Sequence, residues 1–171
     1  MANPVTGGPY NDTNGQPVRK ILNPSLAGGK ARKVYLDNLS KAARFFKSLQ
    51  SGGGPVPIIF RPLHEQLHDG FWWGKRHCTT SEYNQLWRLT YDRLPTTHKV
   101  NNLLWAFSPN KPTTQAIYLE RHPGWNYMDI VGFDGYWEER EKGAFIKCCN
   151  VVVKLAEARG KVAACTEMGA K

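Results

Sequence analysis

Two glutamates, Glu65 and Glu167, each stand just past a short apolar run. Pro57 to Phe60 leads through Arg61-Pro62-Leu63-His64 to Glu65, and Val162 to Cys165 leads through Thr166 to Glu167. Two carboxyls about 5–5.5 Å apart can cleave a glycosidic bond with a covalent intermediate. One protonates the leaving oxygen while the other attacks the anomeric carbon. Their surroundings must then push their pKa values apart. Burial among aromatics such as Phe71-Trp72-Trp73 would hold Glu65 protonated. A donor such as Tyr136 would let Glu167 stay ionised and act as nucleophile.

Each residue has a plainer reading when taken alone. A glutamate at a strand end is more often a surface ion-pair partner or a helix cap. His64 alone reads as a buried hydrogen-bonding group, and Trp72 and Trp73 as packing. Asp129 inside an apolar run needs a partner, and a buried Arg or Lys would serve without catalysis. The arrangement along the chain weighs against these readings.

The elements that would position these residues alternate. Met1 to Lys30 reads as a long loop, rich in Gly and Pro, and such length inside a domain is uncommon unless functional. Ala31 to Gln50 predicts a helix with Val34, Leu39, Ala42, Phe46 and Leu49 on its apolar stripe. Pro57 to Phe60 predicts a strand buried on both faces. Thr80 to Leu94 predicts a helix capped by Thr80 or Ser81, with Tyr83, Leu86, Trp87, Thr90 and Leu94 inward. Asn102 to Phe107, Tyr127 to Gly132 and Lys161 to Cys165 predict three further strands. Ala144 to Arg159 predicts a helix with Phe145, one of Cys148 and Cys149, Val152, Leu155 and Ala156 inward.

Alternating strands and helices predict a parallel sheet with right-handed crossovers, an α/β fold. Each strand turns polar at its C-terminal end: His64-Glu65, Ser108 to Asn110, Asp134 to Tyr136, Thr166-Glu167. In a (β/α)8 TIM barrel those ends open on one face, where active sites sit.

Bulk properties exclude little. The 171 residues carry a formal net charge of +9, with 41% hydrophobic and 12% aromatic residues. The basic residues are scattered and no nucleic-acid motif appears, so the charge reads as a solvated surface. The spacing of Cys78, Cys148, Cys149 and Cys165 is not that of a zinc site, and free thiols are expected. No apolar run approaches the roughly 18 residues of a membrane span, and no signal-peptide pattern appears.

The strand ends and the loop between them resemble glycoside hydrolase family 26, best known for endo-β-1,4-mannanases. Ile58 to Glu65 resembles that family's fourth strand, ending in a His before the acid/base glutamate. Gly70 to Gly74 resembles its aromatic loop. Asn101 to Pro109, Tyr127 to Tyr136 and Val162 to Gly169 resemble the fifth, sixth and seventh strands. The resemblance implies Glu65 as acid/base and Glu167 as nucleophile. It implies His64, Phe71, Trp72, Trp73, Trp105, Asp134 and Tyr136 as substrate-binding residues, and Arg61 and Asp129 as supports. It implies no cofactor and no metal. The expected partner is a mannan-type polysaccharide or oligosaccharide, with no nucleic acid, membrane or obligate protein partner. Such a polymer implies secretion or a periplasmic site for a full-length form.

Two departures stand out. Gly70 occupies a position where the family commonly has a Trp, and His68-Asp69 precede it. A complete barrel takes about 250 residues, so residues 1–171 are expected to form a partial catalytic barrel. Residues 1–30 would follow a missing third strand, and residues 31–171 would hold the units around strands four to seven. Exposed edges would then make the chain poorly stable and nearly inactive. A non-catalytic carbohydrate-binding relic, a β-1,3-xylanase and a mixed-linkage glucanase remain as alternatives.

Overall fold

A computed structural model describes residues 1–170, so Lys171, the last residue of the expected span, lies outside it. The described chain forms two compact units. The first comprises Met1–Ile58 and His68–Leu103, and the second Ile59–Leu67 and the chain from Leu104 on.

The first unit carries helix α1 (Pro17–Leu22), helix α2 (Lys30–Ser48), a hairpin of β1 (Gln50–Ser51) and β2 (Gly54–Pro55), and helix α3 (Thr80–Asp92). The opening thirty residues are therefore not one unbroken loop. Pro17 presets the first helical φ of α1, and a 3-10 turn, Leu26–Gly29, leads into α2. Before α1 the backbone is tied by Asn3, which is 1% exposed and donates to the carbonyls of Asp12 and Asn14 at 2.7 and 2.9 Å. Side-chain-to-backbone bonds of this kind leave no periodic signal in sequence.

Helix α2 buries Ala31, Tyr35, Leu39, Ala43 and Phe46, while Val34 is exposed. The stripe turns on Tyr35, whose hydroxyl lies 2.6 Å from Thr90 Oγ1 inside the unit. Helix α3 buries Tyr83, Leu86, Trp87 and Thr90, as its spacing predicts, and Leu94 just beyond it is also buried. Its cap is Thr79 rather than Thr80 or Ser81. The Thr79 hydroxyl accepts from the Glu82 amide at 3.2 Å, and the Glu82 carboxylate accepts from the Thr79 amide at 2.8 Å. That reciprocal pair satisfies two orphan donors of the first turn.

The second unit is built on a sheet of β3 (Ile58–Phe60), β4 (Leu103–Phe107), β5 (Ile130–Trp137) and β6 (Val162–Ala170), in that order. The β4–β5 and β5–β6 pairs are parallel. Helix α4 (Gln115–Leu119) separates β4 from β5, and helix α5 (Lys142–Glu157) separates β5 from β6. Helix α5 buries Cys148, Val151, Val152, Leu155 and Ala156, so Cys148 rather than Cys149 faces inward. All four cysteines are free thiols.

Three strand expectations need correction. Tyr127 lies in a 3-10 turn, and β5 starts at Ile130 and runs to Trp137. Strand β6 likewise continues past Cys165 to Ala170. Polar side chains do not end a strand whose ladder continues. Nor is the sheet buried on both faces: Ile59 and Val162 are each 61% exposed. Helix α5 packs on β5 and β6, and burial on both faces would need a second covering layer. No helix of the described residues is long and apolar enough to cross a membrane.

Candidate active site

The site begins with a bulge. Phe133 pairs with Cys165, but the next residue, Asp134, pairs with Glu167, so Thr166 is the extra residue of β6. A bulge bends its strand and re-aims side chains. Thr166 Oγ1 reaches the Phe133 carbonyl at 3.0 Å and Asp134 Oδ1 at 2.7 Å. Glu167 follows directly, on the polar end of the strand.

Arg61 lies just after β3 and joins the two carboxyls. One guanidinium nitrogen, Nη1, donates to Asp134 Oδ2 and to Ser108 Oγ; the other, Nη2, donates to Glu167 Oε2 at 2.6 Å. Ser108 donates to Asp134 Oδ2 at 2.9 Å. Asp134 is wholly buried; Arg61 and Ser108 reach it from just past β3 and β4, and Thr166 reaches it from the bulge inside β6. Tyr136 completes the set by donating its hydroxyl to Glu167 Oε1 at 2.8 Å.

The electrostatics differ at each carboxyl. Burial pushes Asp134 up to about 6, against the lowering pull of Thr166, Arg61 and Ser108. At Glu167 partial burial also pushes upward, but the Tyr136 hydroxyl and the Arg61 guanidinium outweigh it and hold the carboxyl below its ordinary value. His64 is half-buried; burial and the Arg61 charge bring it down to about 4, with Glu167 pulling the other way. His64 is therefore neutral at pH 7. The hydrogen bond and charge of Glu167 raise the Tyr136 phenol, with smaller pushes from Glu65 and Asp134.

Glu65 sits five residues past β3, with its amide donating to the Ser108 carbonyl at 2.9 Å. Its φ is 52°, and Leu63 two residues earlier has φ 48°. Left-handed backbone at a non-glycine residue costs on the order of 1–3 kcal/mol and persists only when the surroundings enforce it.

The second unit thus brings together Arg61, His64, Asp134, Tyr136 and Glu167, with Glu65 held against Ser108. Asp129 has a different setting from that expected. It is exposed, precedes β5, and accepts the Trp105 amide at 2.8 Å rather than pairing with a buried Arg or Lys. Its place just outside the strand lets a carboxylate stay solvated while it ties β4 to β5. Trp105 is 5% exposed and packs edge-on against Phe60 at 5.1 Å, so its ring presents no open face to a sugar.

Phe71, Trp72 and Trp73 belong to the first unit. Trp72 is fully buried, edge-on to Tyr35, and donates to the Met1 carbonyl at 3.2 Å. Trp73 is 3% exposed and stacks on Phe71 at 4.7 Å with 2° between planes. Only Phe71 of this run keeps partial exposure. A run of large aromatics fills its own interior first, which the sequence cannot separate from a binding surface.

Ser108 and Thr166 appeared in the sequence only as neighbours of more reactive groups, although both bond the buried carboxylate. Arg121 was missed altogether. It is 1% exposed and donates to the Gln66 carbonyl at 2.8 Å, and a lone arginine in a loop carries no sequence signal. Among the described residues no cluster of metal-ligating side chains occurs.

Known proteins resemble this chain in sequence and in fold. The model of glycosyl hydrolase family 26 matches residues 3–171. A mannan endo-1,4-beta-mannosidase of Bifidobacterium adolescentis is 37% identical over 98% of this chain and 17% of its own length. One of Bacillus subtilis strain 168 is 35% identical over 74% of this chain and 34% of its own. The solved catalytic domain of a Bacillus sp. JAMB-750 endo-beta-1,4-mannanase superposes with a TM-score of 0.90 at 39% identity, over 98% of this chain and 44% of that domain. The chain therefore spans less than half the length of each of these proteins. The shared fold is a (β/α)8 barrel, here incomplete, with about strands four to seven present as β3 to β6. On the family match and the identity across nearly all its length, the chain belongs to glycosyl hydrolase family 26.

Proposed function

We propose that this chain carries the acid/base and the nucleophile of a retaining hydrolase that cleaves internal β-1,4-mannosidic bonds in mannan, galactomannan or glucomannan. Glu167 is the nucleophile. The observation that carries this reading is its pair of donors: Tyr136 at 2.8 Å and Arg61 at 2.6 Å keep it ionised. An ionised carboxylate attacks the anomeric carbon, while Glu65 gives its proton to the departing glycosidic oxygen. Water then attacks the glycosyl ester, and Glu65 takes back a proton as the bond to Glu167 breaks. Neutral His64 supplies a hydrogen-bonding group to the sugar without adding charge. Asp134, wholly buried, holds Arg61 in place. The substrate class follows the mannanase relatives, and a polymer of that size places the reaction outside the cell or in the periplasm.

The test is the first-formed anomer. Hydrolysis of mannopentaose followed by proton NMR should show β-anomer before mutarotation, with internal bonds cut. Glu65→Ala and Glu167→Ala should each lose roughly 10²- to 10⁴-fold on that substrate. Release of α-anomer first, or turnover unchanged in Glu167→Ala, would rule the mechanism out.

A further inference from the structure

Arg121 is among the largest fully buried side chains of the described chain, at 1% exposed. A guanidinium cannot shed its proton inside a protein, so this is a buried cation. The reaction outlined above gives it no task. It follows α4, and its Nη1 donates at 2.8 Å to the carbonyl of Gln66, itself fully buried and next to Glu65. On the other side, the Glu65 amide donates to the Ser108 carbonyl at 2.9 Å. Two bonds therefore bracket a residue whose φ is 52°. Left-handed backbone at a glutamate needs such enforcement.

We infer that Arg121 is a positioning residue for Glu65: its buried guanidinium pins the Gln66 carbonyl and so fixes the direction in which the Glu65 carboxyl leaves the backbone. The inference rests on the reading of Glu65 as acid/base. A planar guanidinium suits the task better than an ammonium, because its fork is pre-organised and its direction fixed. With the pin removed, Glu65 relaxes toward ordinary backbone and its carboxyl moves off the glycosidic oxygen. A misplacement of about 1 Å at a reacting group costs on the order of 10²-fold. In kcat/KM, which reports the first step, the loss falls on proton donation, so it depends on how much help the leaving group needs.

The experiment compares Arg121→Met, Arg121→Lys and Glu65→Ala in the full protein, reading kcat/KM on mannopentaose and on 2,4-dinitrophenyl β-mannobioside. The dinitrophenolate leaves without protonation. Arg121→Met should lose on the order of 10²-fold on mannopentaose but less than about 3-fold on the activated glycoside. Arg121→Lys should recover part of the first loss. Equal losses on both substrates, or no loss on either, would overturn the inference. If Glu65→Ala itself loses equally on both, the acid/base reading fails separately. Amide hydrogen exchange then decides the role of Arg121. Arg121→Met should speed exchange at Glu65 while leaving the β5 amides unchanged; equal protection at Glu65 in both proteins would overturn it.

Discussion

Replacing Arg61 by Met tests whether the buried Asp134 depends on its guanidinium. The Asp134 side chain is 0% exposed and the Arg61 side chain 23%. Removing one partner of a buried pair costs about 3–5 kcal/mol, because the other charge stays buried. Partial exposure of Arg61 and the bonds from Ser108 and Thr166 reduce this to about 2–3 kcal/mol. For a chain of this size that lowers Tm by about 4–12 °C near neutral pH. The loss also depends on pH. Burial holds folded Asp134 at about 6, against an ordinary 3.8, while Arg61 pulls it down. A raised folded pKa gives stability that is present below the unfolded value and lost as pH rises through the folded one. Without Arg61 the folded pKa climbs further, so the loss reaches to higher pH. The deficit of Arg61→Met should be small near pH 4 and grow through pH 6. Urea unfolding followed by tryptophan fluorescence between pH 4 and 8 measures it. Adding Asp134→Asn should recover at least half the deficit at pH 7.5. A deficit independent of pH, or strict additivity in the double variant, would mean that Asp134 does not depend on the Arg61 guanidinium.

Other perturbations separate the site from its surroundings. Tyr136→Phe removes a donor from Glu167, so the acid limb of kcat/KM should move to higher pH; the rate should fall several-fold, less than the ~10²-fold typical of an enclosed donor. An acid limb that stays in place would dissociate Tyr136 from the ionisation of Glu167. Gly169→Ala places a methyl 2.5 Å from the Tyr136 ring, so the ring must shift. The same limb should move in the same direction by less, and combining the two variants should add nothing beyond Tyr136→Phe. Thr79→Ala breaks the reciprocal cap of α3 and should cost about 1 kcal/mol by urea unfolding, with the acid limb of kcat/KM unmoved.

Much of the fold is legible in the sequence because burial leaves periodic traces. Tyr83, Leu86, Trp87, Thr90 and Leu94 mark the inner face of α3 by spacing alone. The four apolar runs mark four strands, and their polar ends mark the site. Strand limits are less legible. Asp134 and Tyr136 lie within β5 because its backbone ladder continues into β6, and ladders do not read side-chain polarity. The bulge at Thr166 leaves no trace in sequence, yet it sets the pairing of Asp134 with Glu167. Tyr35 lies off the predicted α2 stripe, yet it is fully buried, with its hydroxyl 2.6 Å from Thr90 Oγ1. Trp72 and Trp105 look like sugar-binding rings by type, and only packing shows them closed off. Asp129 looked buried because its neighbours are apolar, whereas it stands just before the strand. Arg121 is invisible for the opposite reason: nothing local tells a buried arginine from a solvated one.

The most direct test of the central claim is covalent trapping of the nucleophile. Incubation with 2-deoxy-2-fluoro-β-mannosyl fluoride, then proteolysis and mass spectrometry, locates the residue that attacks the anomeric carbon. One fluoromannosyl group should appear on the peptide containing Glu167 and be lost in Glu167→Gln. A label on Glu65, on Asp134 or on any other residue would contradict it.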